Sequence, residues 1–166
     1  MKSFIHPTAV IHPNVKIGKN VHIGAFCIIG DKPESINHWN NANKYTVEIG
    51  DNTIITGHVT IDAGTIKNTI IRDKCFIMKG CHIGHDAEID SGVIMSPHVV
   101  IGGHSFVGMC TNIGIGAVVH QRVNIPGDCM IGMNSTVTKK SALRMQPNEV
   151  VIGSPAKFIR WNNRKK

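Results

Sequence analysis

The chain has 166 residues, 42% of them hydrophobic, so it fits one ordinary domain with a sizeable core, and disorder is excluded for most of its length. Only 5% of the residues are aromatic, whereas isoleucine and valine together number 40, which predicts a β-rich core packed by β-branched side chains. The net charge of +7 is not accompanied by aromatic residues interleaved among basic ones, which argues against nucleic acid as a partner.

The amino-terminal segment MKSFIHPTAV shows no targeting signal. It lacks a basic region followed by an apolar stretch, and it lacks a cleavage site. Elsewhere no apolar run approaches the roughly 18 residues of a membrane-spanning helix. We therefore expect a cytoplasmic protein without a membrane span.

A six-residue repeat begins at Ile5 and runs through almost the whole chain. Of the 20 positions that mark it, 19 are isoleucine or valine. These positions are Ile5, Ile11, Ile17, Ile23, Ile29, Ile49, Ile55, Ile61, Ile71, Ile77, Ile83, Ile89, Met95, Ile101, Val107, Ile113, Val119, Ile125, Ile131 and Val137. A small side chain follows four residues later, and four of the five cysteines fall in this second set. The cysteines are therefore predicted to pack in the core, not to form disulfides or bind a metal.

Each repeat is long enough for one short strand and one turn, and it cannot bury an apolar face without a neighbour. Three repeats close a triangular coil of 18 residues, and successive coils pair in parallel about 4.8 Å apart. The pattern resembles the hexapeptide repeat of left-handed parallel β-helices, and the resemblance supplies the handedness. We expect an all-β, left-handed parallel β-helix over residues 1–153. The glycine that often follows the large aliphatic residue is expected at a turn with an unusual backbone dihedral.

Two segments interrupt the repeat. The polar, asparagine-rich segment at about residues 31–46 predicts a long loop that leaves a corner of the helix. A loop of this length inside a compact repeat is either a functional element or a tolerated insertion. Four extra residues around Lys67 to Ile70 predict a smaller bulge.

The repeat ends after Val137, and residues 154–166 predict a short C-terminal capping helix with a basic tail. Pro155 suits the first turn of such a helix, and its apolar side chains would close the open end of the core. Those side chains are Phe158, Ile159 and Trp161. The last ten residues carry five basic side chains, namely Lys157, Arg160, Arg164, Lys165 and Lys166. Such an end suits an acidic carrier protein or a phosphorylated cofactor, or it is simply solvated.

The histidines become informative once the coil length is known. His85, His104 and His120 are separated by 19 and 16 residues, each within two of a whole coil, so they are predicted to line one edge of the helix in three neighbouring coils. His82 precedes His85 in the same coil, and Gln121 follows His120. A lone surface histidine is more often inert than catalytic, but an aligned column favours a functional site.

Two residues near His85 suit acyl-transfer chemistry. Asp86 follows His85 directly and can hold its imidazole in one tautomer, as a general base requires. Gly103 is predicted one coil above His85, where a backbone N–H can stabilise an oxyanion. Gly102 and Gly103 can alternatively serve only the turn.

A metal site is the competing interpretation of clustered histidines, since three of them can hold a catalytic zinc. Hexapeptide proteins of the γ-carbonic anhydrase type have a histidine pair five residues apart along one coil. Five residues after His85 comes Asp90, and five after His82 comes Ala87. That pair is missing, so no metal is expected.

The segments GCHIGHDAEID, GGHSF and VVHQR resemble the active-site strip of the UDP-N-acetylglucosamine acyltransferases of lipid A synthesis. The resemblance includes IHPTA and VEIGD and covers most of residues 5–137. It implies a homotrimer with sites between subunits, His85 as the general base, Asp86 as its partner and Gly103 as the oxyanion donor. It also implies four substrate or acyl-donor contacts, at His82, His104, His120 and Gln121. Ser35 and Asn37 stand where that family has an Asp and a Lys for the sugar nucleotide, so the sugar is left open.

The C-terminal segments MIGMNSTVTKK and VVIGSPAKFIR are similar instead to coenzyme A-dependent sugar acetyltransferases. This similarity implies that basic residues near this end meet the phosphates of the cofactor, and lysine suits that role as a point charge. The candidates are Lys139, Lys140, Lys157 and Arg160.

Together these resemblances predict an acyltransferase that moves an acyl group, most simply acetyl from acetyl coenzyme A, onto a hydroxyl or amine of a sugar or sugar nucleotide. The acceptor would attack the thioester directly, with His85 taking its proton. An acyl carrier protein is the alternative donor. A hexapeptide scaffold without catalysis is the alternative from a different class.

Overall fold

The structure, a computed structural model, describes residues 2–39 and 44–163. Its strands in chain order are β1 Phe4–Ile5, β2 Val10–Ile11, β3 Lys16–Ile17, β4 His22–Ala25, β5 Ile28–Asp31, β6 Val47–Ile49, β7 Ile54–Gly57, β8 Thr60–Asp62, β9 Thr69–Ile71, β10 Phe76–Ile77, β11 His82–Ile83, β12 Glu88–Ile89, β13 Ile94–Met95, β14 Val100–Ile101, β15 Phe106–Val107, β16 Asn112–Ile113, β17 Val118–Val119, β18 Asn124–Ile125, β19 Met130–Ile131, β20 Thr136–Val137, β21 Glu149–Ile152 and β22 Lys157–Trp161. A short helix, α1, spans Lys139–Ala142. None of the helical structure in the described ranges has the length and apolar character that crossing a membrane requires.

The strands form three sheets that are the three faces of a parallel solenoid of about eight turns. As far as β20, each strand pairs with the strand three places later, and β21 and β22 extend the first sheet beyond β19. The sheets run β1-β4-β7-β10-β13-β16-β19-β21-β22, β2-β5-β8-β11-β14-β17-β20 and β3-β6-β9-β12-β15-β18. The register advances by one coil at each pairing, as between Phe76 and Ile94. Of these pairings only that of β21 with β22 is antiparallel. The predicted all-β parallel helix is confirmed.

Stacked isoleucines fill the interior of the solenoid. Ile55, Ile77, Ile83 and Ile101 are each 0% exposed, and burial of such a side chain contributes roughly 1.5–3 kcal/mol. The second, smaller set of inward positions includes Cys27, Cys75, Cys81 and Cys129, all buried and none in a disulfide. Burial raises the pKa of Cys75 and of Cys81 to about 11, so these thiols are packing groups, as predicted.

Among the glycines after the large aliphatic residues, Gly30 has the predicted unusual dihedral, with φ 84°. Others have a different role. A Cβ on Gly24 would overlap the carbonyl oxygen of Thr56, and a Cβ on Gly102 would lie 2.5 Å from the amide nitrogen of Gln121. Neither residue has a positive φ; the left-handed conformation falls two positions later, as at Phe26 with φ 57°. Close approach of successive coils, not the dihedral, therefore requires glycine at these positions.

Both predicted interruptions of the repeat are present. Residues 32–46 connect β5 to β6, and the part of this loop at residues 40–43 lies outside the described residues. The bulge lies a little earlier than predicted, at residues 63–68 between β8 and β9. Consequently Thr69, and not Thr65, is fully buried at the inward small position of this coil.

The predicted C-terminal helix over residues 154–166 is wrong. Residues Lys157–Trp161 form β22, which runs antiparallel to β21, while the short helix lies earlier, at Lys139–Ala142. Pairing with β22 covers the last exposed strand edge of its sheet, which a short isolated helix would leave open. Phe158, Ile159 and Trp161 are about half exposed, so they do not close the core. The basic tail at residues 164–166 lies outside the described residues.

Candidate functional site

One corner of the solenoid brings the predicted site residues together. The strands before it are in register through Ile83, Ile101, Val119 and Val137, so the turns that follow stack one above another. We call these four turns the corner column, and they are residues 84–86, 102–104, 120–122 and 138–140. Within the column His85, Gly103, Gln121 and Lys139 occupy equivalent positions. His104 and His120 lie in the second and third turns of the column, each one residue from the position equivalent to His85.

His85 and Asp86 form a hydrogen-bonded pair at this corner. Nδ1 of His85 lies 2.7 Å from Oδ2 of Asp86, and the Asp86 side chain is 0% exposed. Because an ionised carboxylate only accepts hydrogen bonds, Nδ1 carries the proton, and the lone pair of the neutral ring is at Nε2. The pair therefore presents Nε2 as a hydrogen-bond acceptor, the arrangement of a general base.

The bulge encloses the carboxylate of Asp86. Backbone N–H groups of Thr65, Ile66 and Lys67 donate to Oδ1 over 3.0, 2.9 and 2.9 Å. The Thr65 hydroxyl donates to Oδ2 over 2.6 Å. Burial alone would raise the pKa of Asp86, but these hydrogen bonds and the one from His85 hold that pKa well below its ordinary value. Asp86 is therefore a fixed negative charge that anchors the bulge and orients His85.

Replacement of Asp86 by alanine should destabilise the fold. The change leaves three backbone N–H donors and the Thr65 hydroxyl without their acceptor, so we expect the free energy of unfolding in urea to fall by about 3 kcal/mol or more. Since its pKa is lowered in the folded state, the contribution of Asp86 is complete at neutral pH and should be lost as the pH falls below about 4. The matched control is Asp90→Ala. Its carboxylate is 25% exposed, lies 3.8 Å from Arg72 and accepts one backbone N–H, that of Ser91; its cost should stay below about 1 kcal/mol. Equal losses in the two variants would contradict this role for Asp86.

Gly103 packs directly against the reactive side of the His85 ring. A Cβ built on Gly103 would lie 2.9 Å from Cε1 and 2.9 Å from Nε2 of His85, so only glycine leaves the ring in place. Within residues 2–39 and 44–163, the Gly103 N–H has no hydrogen-bond acceptor. A free N–H on the residue that packs against this ring is suited to oxyanion stabilisation.

His104 completes the cluster from the next coil. Its Nδ1 lies 3.6 Å from Oδ2 of Asp86, and its ring meets the His85 ring edge-on with centroids 4.8 Å apart. Burial lowers the pKa of His104, and Arg122 lowers it further, although Asp86 opposes the shift. His104 is therefore neutral at pH 7 and offers a polar ring to a ligand at this corner.

The ligand atoms of His85, Asp86 and His104 lie within 4.8 Å of one another, close enough to be considered as a metal site. The hydrogen bonding argues against that use. Both oxygens of Asp86 already accept short hydrogen bonds, and Nδ1 of His85 is one of their donors. The donor set therefore suits a positioned base better than a metal ion.

His82 lies beside the cluster, in a pocket of about 210 Å³. Its Nδ1 lies 2.8 Å from the hydroxyl of Thr60, and its Nε2 lies 3.9 Å from Oδ2 of Asp62. Thr60 and Asp62 belong to β8, and the other lining residues come from β5 and the long loop, namely Ile28, Asp31, Lys32, Glu34 and Trp39. His82 thus faces a pocket formed partly by the loop.

His120 and Gln121 lie higher in the column and are exposed. Nδ1 of His120 lies 3.0 Å from the carbonyl oxygen of Gln121. Neither side chain contacts the cluster around Asp86 through a hydrogen bond or ion pair within the described part of the chain. They can meet a ligand that extends up the column from His85.

Of the four basic residues predicted to contact the cofactor, two line a common cavity and two do not. Lys140 and Lys157 line a cavity of about 490 Å³ at the C-terminal end of the solenoid. Lys139 is exposed on α1, and Arg160 donates to the carbonyl oxygen of Trp161 over 3.1 Å; neither lines the cavity. Arg144, which sequence reasoning missed, also lines it.

The chain is similar in sequence to known proteins. The sequence profile of the bacterial transferase hexapeptide family (six repeats) matches residues 2–31 and 68–103. An acyl-[acyl-carrier-protein]–UDP-N-acetylglucosamine O-acyltransferase of Helicobacter pylori is 34% identical over 142 residues, which cover 84% of this chain and 50% of that protein. A second such enzyme, from Campylobacter concisus, is 32% identical over 69% of this chain and 45% of its own. The chain therefore spans about half the length of these curated relatives.

Solved structures show the same fold. The UDP-N-acetylglucosamine acyltransferase from Campylobacter jejuni superposes with a TM-score of 0.80 at 26% identity, covering 96% of this chain and 75% of that one. PerB from Caulobacter crescentus, solved with coenzyme A and GDP-perosamine, superposes with a TM-score of 0.59 at 24% identity over 96% of this chain and 58% of its own. This second likeness concerns the fold alone.

Proposed function

Because this chain belongs to the hexapeptide-repeat proteins of the left-handed β-helix fold, we propose that it is an acyltransferase acting on a hydroxyl or amine of a sugar or sugar nucleotide. The observation that carries the proposal is the contact of three groups: the carboxylate of Asp86 on Nδ1 of His85, and Gly103 against Nε2. These are a base, the group that orients it and an N–H for the oxyanion. Similarity to UDP-N-acetylglucosamine acyltransferases supports the same chemistry.

In the proposed mechanism Nε2 of His85 takes the proton from the acceptor as the acceptor attacks the thioester carbonyl carbon. The Gly103 N–H donates to the oxyanion that forms, and Asp86 stabilises the imidazolium. The C–S bond then breaks, and the thiolate takes the proton from His85. A positioned base typically contributes 10²–10⁴-fold, and an oxyanion donor about 10²–10³-fold.

The donor we propose is a coenzyme A thioester lying along the corner column. Its thioester would lie at His85 and Gly103, and its phosphates would reach the C-terminal cavity that Lys140 and Lys157 line. The two ends are three coils apart, about 14 Å at the usual strand spacing. The pantetheine arm of coenzyme A is long enough to join them. His120 and Gln121 lie between and would contact the arm.

A specific observation keeps the carrier-protein donor as the second candidate. The curated relatives are named for an acyl carrier protein, and this chain is basic, whereas carrier proteins of this kind are acidic. We propose a homotrimer in either case, because an arm on the surface of one solenoid needs a second wall. A light-scattering mass near 18.1 kDa would contradict the intersubunit site.

The test is to incubate the protein with acetyl coenzyme A and a set of UDP-sugars, some with hydroxyl and some with amino groups, and to separate free coenzyme A by chromatography. We expect acceptor-dependent release of coenzyme A. Acyl transfer that occurs only with acyl carrier protein as the donor would favour the second candidate. No transfer from either donor to any acceptor would overturn the proposed activity.

Replacement of Lys140 by alanine should weaken binding of coenzyme A. Loss of a lysine–phosphate contact at a partly solvated site is expected to raise the dissociation constant about 5-fold, as measured by isothermal titration calorimetry. The effect should be smaller for dephospho-coenzyme A if Lys140 meets the 3′-phosphate. Lys19→Ala, at the opposite end of the solenoid, is the control. Equal weakening by both changes would place the phosphates elsewhere.

A further inference from the structure

The pocket beside His82 carries a buried carboxylate that the proposed mechanism does not use. Asp62 is 6% exposed and lines this pocket. Its Oδ2 accepts a long hydrogen bond of 3.5 Å from the N–H of Glu34 and lies 3.9 Å from Nε2 of His82. Its Oδ1 accepts no hydrogen bond from residues 2–39 or 44–163. A buried charge of this kind is costly unless something pairs with it.

The pocket is acidic although the protein is basic. Asp31, Glu34 and Asp62 line it, against the single ammonium of Lys32. That ammonium lies 5.6 Å from the centroid of the Trp39 ring, where it interacts with the aromatic face. Three carboxylates around an apolar wall of Ile28 and Trp39 favour a cation.

Asp62 is also close to the reacting groups. Ile61 pairs with Ile83, so Asp62 occupies the position one coil below Gly84, next to His85. Burial raises the pKa of Asp62 to about 6, and electrostatic interaction with His82 and His85 opposes that shift. A ligand held by Asp62 would therefore lie one coil below the turn that carries the proposed base.

We propose that this pocket binds the protonated amino group of an amino sugar, with Asp62 as its partner, so that nitrogen and not oxygen is acylated. The inference rests on the proposed function and names its acceptor. The bound ammonium releases one proton to solvent, and the neutral nitrogen then attacks the thioester carbonyl carbon. A C–N bond forms, and the nitrogen gives a second proton to Nε2 of His85. The C–S bond breaks and the thiolate takes that proton, which gives an amide and free coenzyme A.

The test compares two ligands that differ in one group, UDP-N-acetylglucosamine and its analogue with an amine in place of the 3-hydroxyl, together with the corresponding pair at position 4. Binding is measured by titration calorimetry, so it needs no turnover. An amine paired with a buried carboxylate should bind about 10-fold more tightly than the hydroxyl. Asp62→Asn should remove that preference and leave hydroxyl binding within about 2-fold.

The pH dependence and two further variants sharpen the test. Affinity for the amine should fall as the pH decreases through about 6, because protonation removes the charge of Asp62. In Asp62→Asn this decrease in affinity near pH 6 should be absent. The other titratable groups facing it, Asp31, Glu34, Lys32, His82 and His85, remain in that variant. Glu34→Gln, an exposed change, should weaken amine binding only about 2-fold. Asp128→Asn, far from the pocket, is the control.

The outcomes separate this inference from the proposed function. Selective binding of the amine that Asp62→Asn abolishes, with no acyl transfer from any donor, would support the pocket and overturn the acyltransferase. Acyl transfer with equal binding of both members of each pair, unchanged in Asp62→Asn, would overturn the pocket and leave the acyltransferase. Loss of thermal stability in Asp62→Asn would be recognised from its melting curve, and Glu34→Gln would then decide.

Discussion

His85→Ala is expected to lower the rate of acyl transfer by roughly 10²-fold or more, because a positioned general base contributes at least that much. The loss should fall on kcat, since the base acts on the transition state and has little part in ground-state binding. The measurement is acceptor-dependent release of coenzyme A at saturating substrates. The fold should persist, because the His85 ring is partly exposed and its backbone carbonyl still accepts the N–H of His104.

The control for this change is His22→Ala. His22 is exposed in β4 and its ring stacks on Phe4 with centroids 4.9 Å apart, away from the corner column. It removes the same side chain and should leave kcat unchanged. More than a few per cent of wild-type turnover in His85→Ala would show that another group takes the proton.

Gly103→Ala should be nearly as damaging, although it adds a single methyl group. The new Cβ would lie 2.9 Å from Nε2 of His85, so the ring must move and the N–H of residue 103 would be partly covered. Loss of one oxyanion donor costs about 10²–10³-fold in kcat, and we expect a fall in that range. Gly103 has no positive φ, so alanine adds no backbone strain and the melting temperature should change little.

Gly127→Ala is the matched control for Gly103. It is four repeats further along the chain, at the equivalent position of another corner, and it also has no positive φ. Its Cβ would meet the nearest atom, the carbonyl oxygen of Met109, at 3.2 Å, a contact that a small shift relieves. If the two alanines reduce kcat equally, Gly103 has no special place at the site.

The solenoid could be predicted from the sequence because its physics is one-dimensional. Each inward position, such as Ile77 or Ile101, repeats the same environment one coil further on, so the pattern is repeated many times along the chain. The C-terminal segment has no such repetition. Its outcome as β22 was decided by the open edge of β21, a tertiary feature that local preferences around Pro155 do not reveal.

The site was predictable to the extent that it follows the coil length. The period aligned His85, Gly103 and His104, and adjacency linked His85 to Asp86. The enclosure of Asp86 was not predictable, because its donors are backbone N–H groups of Thr65 to Lys67, and a backbone group has no signature in the sequence. The four-residue slip between Ile61 and Ile71 was the available signal. No sequence pattern indicated a role for Asp62, since its burial depends on the loop that packs over it.

The stacked corners also fix the distance between the reacting centre and the cofactor anchor. Along the axis of the solenoid, distances between equivalent positions change only in whole coils of about 4.8 Å. His85 lies three such steps below the turn that carries Lys140, which lines the C-terminal cavity. A cofactor arm of constant length can match only one such count. Insertion or deletion of a complete coil between these two levels would preserve the core, the turns and both end sites, and yet would disconnect the reacting centre from its anchor. Variation in this segment is therefore expected in side chains and not in the number of repeats.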